Sequence, residues 1–140
     1  TAASAAASVL GAPLMHDFAV ISLSDLMTPF NLIMKRVDCA GQGDFIVCLY
    51  NPKSKKRVDY VEKAADILMK YRDADTPVGV VRHAGREEES SYITTLGELK
   101  NAPIDMFSIV VIGNSNTYVR EGKMITPRGY EDKYGFANIG

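Results

Sequence analysis

"DFIVCLYNPKSKKRVDYVEKA", residues 44–64, holds the stretch from which the fold can be read. After its leading aspartate the segment to Tyr50 is apolar without alternation, the pattern of a strand covered on both faces. Asn51 precedes Pro52, which disfavours helix and predicts an extended residue where the chain leaves the sheet. Lys53, Lys55, Lys56 and Arg57 follow as a basic run. Val58, Val61, Ala65 and Leu68 then mark one face of a helix that closes around Tyr71, with Asp59/Lys63 and Asp66/Lys70 paired on its outer face. A doubly covered strand feeding an amphipathic helix is the unit of an α/β layer structure.

The same alternation extends in both directions. Upstream, the alanine-rich run from Thr1 to Leu10 is helix-favouring, and Gly11 with Pro13 supplies a stop. Asp17 to Ser24 reads as a strand. Thr28-Pro29 reads as an N-cap with proline at the first helical position, and Phe30, Ile33, Met34 and Val37 form the apolar stripe of a helix ending near Gly41. Downstream, Pro77 to His83 and Met106 to Gly113 are short apolar strands. Ser91 to Thr95 is a further strand, with a short helix near Leu96 to Asn101, and "TYVREGKMITP" (117–127) is a hairpin about Glu121-Gly122. The expectation is a single α/β domain with a mixed, mostly parallel five-stranded sheet and flanking helices, mixed because the hairpin is antiparallel. The chain has no pattern after Tyr130, so residues 1–130 are expected to form the domain and 131–140 a tail.

Composition narrows the function. At 140 residues and 46% apolar, one domain burying roughly two-thirds of its unfolded surface is expected. A net charge of -1 gives the whole molecule no electrostatic reason to seek nucleic acid or an anionic membrane. No run reaches the ~18 apolar residues of a membrane-spanning helix. Cys39 and Cys48 form no C-x-x-C pair, and His16 and His83 are distant in sequence, which argues against zinc. Two buried thiols and a cytoplasmic protein are expected rather than a disulfide. The alanine-rich opening lacks the basic start of a secretory signal. Beginning abruptly inside a helical pattern, it reads as cut from something longer.

Three loops follow apolar strands in the same way: Tyr50-Asn51-Pro52, His83-Ala84-Gly85, and Gly113-Asn114-Ser115-Asn116. If those strands run parallel, the loops meet at one edge of the sheet, where α/β proteins bind ligands. The chemistry in them is sparse. There is no G-x-G-x-x-G, P-loop or G-x-S-x-G. Glu87 to Glu89 reads as a solvated turn, and Asn114 and Asn116 as turn formers. A histidine at a strand end can serve as acid or base near neutral pH or make an ordinary hydrogen bond. The basic run is open to three readings: the rim of an anionic ligand's site, a solvated helix entrance, or a nucleic-acid contact.

The order of four blocks carries a resemblance. "TAASAAASVLGAPLMHDFAVISLSDL", "GDFIVCLYNPKSKKR", "TPVGVVRHAGREEE" with "TTLGEL", and "DMFSIVVIGNSNTYV" with "GKMITPRGY" resemble the C-terminal half of the ring-contracting branch of the tetrapyrrole (corrin and porphyrin) methylase family, over nearly all of residues 1–130. The resemblance implies a two-domain enzyme, a homodimer, that binds S-adenosyl-L-methionine in the cleft between its halves. It would methylate C17 of a precorrin or cobalt-precorrin tetrapyrrole with contraction of the macrocycle, in cobalamin biosynthesis. The family's N-terminal half carries a G-x-G-P-G loop and a G-D-x-x-x-Y-G stretch, and neither occurs here. The partner would be the N-terminal domain of the same enzyme, and the isolated chain is expected to be inactive. Carried over by motif, the resemblance implies cofactor contacts at Thr1, Ala2, Tyr50, Asn51, Ala84, Gly113 and Asn114. It implies proton movement during contraction, for which His83 or the Tyr50/Asn51 pair are the candidates, His83 as the catalytic residue. The carboxylate-rich substrate would find cationic partners at Lys53, Lys55, Arg57 and Arg86. The alternatives are another methylase of the same family, or a non-catalytic dimerisation or interaction domain.

Overall fold

A computed structural model describes residues 2–54 and 59–128. Thr1, Lys55 and Arg57, and the expected tail at 131–140, lie outside the described residues. Helix α1 (Ala2–Leu10) leads into β1 (Gly11–Ala12) and β2 (Phe18–Ser22), then α2 (Phe30–Gln42), β3 (Ile46–Tyr50) and α3 (Tyr60–Leu68). After these come β4 (Pro77–Arg82), β5 (Ser90–Thr95), a short 3-10 turn (Leu99–Asn101), β6 (Ser108–Ile112), and the hairpin β7 (Tyr118–Arg120) and β8 (Lys123–Ile125).

The main sheet has five strands in the order β2-β3-β6-β4-β5. It is mixed, as expected, but the expectation of mostly parallel strands is wrong. Only β2 and β3 run parallel, while β6 lies antiparallel to both β3 and β4, and β5 antiparallel to β4. The cause is the segment 96–107. It crosses back over the face of the sheet, anchored by Leu96, Leu99 and Ile104 in the core, and returns the chain to the edge where β4 ends. The last central strand therefore starts where its neighbours finish. Nor does the hairpin supply the antiparallel pairing. It forms a separate three-stranded sheet in which β8 pairs parallel to β1, a strand missed in the sequence.

The residues of β3 explain the layers. Val47 and Leu49 belong to a core under α2 and α3, whereas Ile46 and Cys48 belong to a second core under α1. All four are fully buried, so a run without alternation is a strand with two apolar faces. The stripe of α2 buries Ile33, Met34 and Val37, and α3 buries Val61, Ala64, Ala65 and Leu68. The ion pair between Lys63 and Asp59, 3.1 Å, lies on the outer face of α3 as expected. Three local expectations fail. Pro29, not Thr28, occupies the N-cap of α2 and no side chain caps it. Cys39 is exposed, although Cys48 is buried and neither is in a disulfide. Asn51 is not extended: its φ is 49°.

Candidate functional site at one edge of the sheet

Because β6 is reversed, the edge where β3 and β4 end is the edge where β6 begins. Tyr50-Asn51 and His83-Ala84 meet there, as the sequence suggested. Gly113 and Asn114 do not. They follow β6 on the opposite edge, where the Gly113 N–H donates to the Pro77 carbonyl, 2.9 Å, and the Asn114 N–H to Thr117 Oγ1, 2.9 Å. Both are buried in local structure, so the expected meeting of three loops reduces to two.

The two loops share a device. Asn51 and His83 each follow the last residue of a strand and each adopts a left-handed backbone, φ 49° and 54°. This conformation is uncommon outside glycine, though Asn and His tolerate it best, and it clusters at ligand sites. In each case it turns the chain sharply off the sheet. The surroundings hold the turns in place. Asn51 Nδ2 donates to Ser22 Oγ at the end of β2, 3.0 Å. The His83 N–H donates to the Phe107 carbonyl, 3.2 Å, and its own carbonyl accepts from the Arg86 N–H, 3.0 Å. The imidazole stacks on Phe107 with centroids 4.7 Å apart and planes at 24°. The Gly85 N–H donates to Glu89 Oε1, 2.9 Å.

A cavity of about 330 Å³ opens beside this stack, lined by Ala2, His83, Ala84, Arg86, Glu88, Phe107 and Ile109. Helix α1 contributes its N-terminal end, and half-buried Tyr50 lies against the same core cluster with Ala84. Burial raises the Tyr50 phenol, the Cys48 thiol adds to this, and a backbone hydrogen bond with Ala3 opposes it. The phenol therefore stays neutral and bonded to the first turn of α1. Lys53 is half-buried in the loop after β3, and Arg86 is exposed at the mouth of the cavity. Ala2, Tyr50, Asn51, Lys53, His83, Ala84 and Arg86 thus lie at one sheet edge, and the structure does not address Thr1, Lys55 or Arg57.

Sequence reasoning missed Phe107 and Glu88. A strand that starts at the site shares its face through alternate residues, so Phe107 follows from Ile109 and Val111 once β6 is known to be reversed. Glu88 is exposed, as a solvated turn residue should be, and also lines the cavity. Among the described residues, no group of three or more His, Cys, Asp or Glu is placed to hold a metal, and no helix is long and apolar enough to cross a membrane.

Residues 1–100 match the family model "Tetrapyrrole (Corrin/Porphyrin) Methylases". The chain is 55% identical over 130 residues to the "Probable cobalt-factor III C(17)-methyltransferase" of Salmonella typhimurium, covering 93% of this chain and 54% of that protein. It is 51% identical over 141 residues to the protein of the same name from Methanocaldococcus jannaschii, covering 96% and 57%. The chain spans about half the length of these curated relatives. Among solved structures, "the methyltransferase CobJ" superposes with a TM-score of 0.81 at 34% identity, over 91% of this chain and 53% of that one.

Proposed function

The chain belongs to the tetrapyrrole methylase family, and from that premise we propose that it supplies the C-terminal half of an S-adenosyl-L-methionine-dependent enzyme that methylates C17 of a tetrapyrrole and contracts the ring, in cobalamin biosynthesis. The substrate is cobalt-factor III or precorrin-3B, with the cobalt form favoured by the names of the 55% and 51% identical relatives. The observation that carries the reading is the cavity between the start of α1 and the ends of β3 and β4. Its lining fits part of such a cofactor. A volume of about 330 Å³ is at the low end for small-molecule sites, so the remainder of the cofactor is held by the domain formed of residues outside this chain.

The methyl donor, when bound, supplies a methyl group on a positively charged sulfur. This chain's residues hold and shield it. The N-terminal end of α1 at Ala2 suits a carboxylate, because the helix dipole places partial positive charge there. Ala84 offers backbone groups with no side chain to fill the space, and Tyr50 and Asn51 close the side towards β3. The apolar wall of Phe107 and Ile109 excludes water, and alignment of the reacting carbons contributes more than any single acid or base. The His83 imidazole moves the proton that contraction requires. Lys53 and Arg86, joined by Lys55 and Arg57 in the basic run, take substrate carboxylates.

A homodimer and a cytoplasmic location complete the proposal. Two large apolar side chains of the edge strand β2, Phe18 and Val20, are 43% and 53% exposed, which fits an interface. The free thiols of Cys39 and Cys48 fit a reducing compartment. Calorimetric titration of the chain with S-adenosylhomocysteine tests the site: binding is expected, weakened at least tenfold by Ala84→Glu. A chain that binds none of this ligand ends the cofactor proposal for this half.

A further inference from the structure

Asp105 does not line the cavity, yet it is tied to both members of the His83–Phe107 stack. Its Oδ1 accepts from the Phe107 N–H, 2.9 Å, and from Ser108 Oγ, 3.2 Å, and Ser108 Oγ in turn accepts from the Asp105 N–H, 3.1 Å. Its Oδ2 makes an ion pair with Arg82 Nε, 2.5 Å. Arg82 is the last residue of β4 and lies opposite Ser108 in the ladder with β6. One carboxylate therefore joins the residue before His83 to the residue that stacks on it. Burial alone would raise the Asp105 carboxyl, but the Phe107 and Ser108 hydrogen bonds and the Arg82 charge hold it below its ordinary value. It is ionised at neutral pH, with both oxygens free to accept.

The hold comes from the other side of the sheet. Successive strand residues face opposite sides, and Val80 belongs to the core under α2 and α3 whereas Val81 belongs to the core under α1. Arg82 shares the face of Val80, and with Asp105 and Ile104 these two line a separate cavity of about 430 Å³. His83, Phe107 and Ile109 line the cavity on the α1 side. A turn built on an aspartate side chain needs only the bond to the Phe107 N–H. The ion pair with Arg82 reaches across to β4, and what it fixes is the start of β6 against the end of β4, where Phe107 meets His83. We propose that Asp105 is a positioning residue: from the face opposite the cofactor cavity, it and Arg82 fix the Phe107 ring against the His83 imidazole and so set the shape of that cavity. This rests on the function proposed above. It adds a carboxylate that governs the site without touching the ligand, where a displacement of about 1 Å is costly.

The test uses the 140-residue chain, whose two histidines give two sets of imidazole proton signals by NMR, assigned with His16→Gln. A proton over an aromatic ring resonates upfield, so the His83 signal reads the stack without any ligand, and Phe107→Leu gives its unstacked position. Asp105→Ala is expected to move the His83 signal at least halfway to that position and to weaken S-adenosylhomocysteine binding at least tenfold by calorimetry. Arg82→Met, at an exposed position, removes only the bond across to β4 and keeps the test open if the alanine variant does not fold. It is expected to move the signal in the same direction and to weaken binding about threefold. In the Phe107→Leu background, Asp105→Ala should cost no further affinity, because a residue that acts through Phe107 then has nothing left to position. A His83 signal that stays in place in either variant overturns the proposal. So does a shifted signal with unchanged affinity, or a full further loss in the Phe107→Leu background. A wild type that binds no S-adenosylhomocysteine ends the cofactor reading instead, and the histidine signal then decides the role of Asp105 by itself.

Discussion

His83 combines a backbone cost with a side-chain gain, and the two can be separated. Its φ of 54° is strained for any residue with a Cβ, worth about 1 kcal/mol, and the stack on Phe107 returns about the same. His83→Ala keeps the strain and loses the stack, so urea denaturation should show a loss of about 1 kcal/mol. His83→Gly removes both and should stay within about 0.5 kcal/mol of wild type. In the proposed two-domain enzyme both variants are expected to slow ring contraction, and an unchanged rate for either would end the proton-transfer role proposed for His83. The two thiols differ as sharply. Cys39 is exposed and Cys48 buried, so a thiol reagent should modify one cysteine promptly in the native chain and the second only in denaturant. Prompt reaction of both would mean that the second core opens readily. The cysteine types were legible in the sequence, but their exposure was not. Cys39 lies on the outer side of α2, whose buried stripe runs through Ile33, Met34 and Val37.

Helix α1 reaches the site only because it lies directly on the sheet. A Cβ added at Gly79 of β4 would stand 2.5 Å from Leu10 Cδ1 and 2.6 Å from Cδ2, closer than packed atoms tolerate. Gly79→Ala should therefore cost about 1–3 kcal/mol in denaturant unfolding. By tilting α1 it should also weaken S-adenosylhomocysteine binding, although position 79 is remote from the cavity. Unchanged stability would mean that Leu10 repacks freely. Elements of this kind were legible where periodicity was strong: the stripes of α2 and α3, the doubly buried β3, and the Glu121-Gly122 turn, whose φ values of 52° and 74° suit a tight hairpin. The two residues of β1 were not legible. So short a strand has no period, and it exists only because β8 lies beside it.

Arg72 ties distant parts of the molecule together. It is 7% exposed, and its Nη1 donates to the carbonyls of Gly113, 2.6 Å, and Phe45, 3.0 Å, joining the end of β6 to the approach to β3. Arg72→Met leaves those buried acceptors without their donor and should cost about 3 kcal/mol by urea denaturation. A loss under 1 kcal/mol would show that water replaces the guanidinium. Alkaline stability is a second property of the whole. Burial raises the Cys48 thiol from 9.0 to about 12, so the folded state keeps a proton that the unfolded chain gives up. The resulting stabilisation is complete below pH 9 and falls away as the pH climbs towards 12. Cys48→Ala should flatten that part of the pH–stability curve, and an unaltered slope would assign it to other groups. Apolar runs, helical stripes and turn residues are properties of short segments, and together with the motif order they determined the α/β class, the family and two of the three loops expected at the site. The direction of β6 was decided only in three dimensions. A strand's residues are the same whichever way it runs, and the crossing of 96–107 depends on where Leu96, Leu99 and Ile104 find the core. That one reversal sent Gly113 and Asn114 to the far edge and brought Phe107 beside His83.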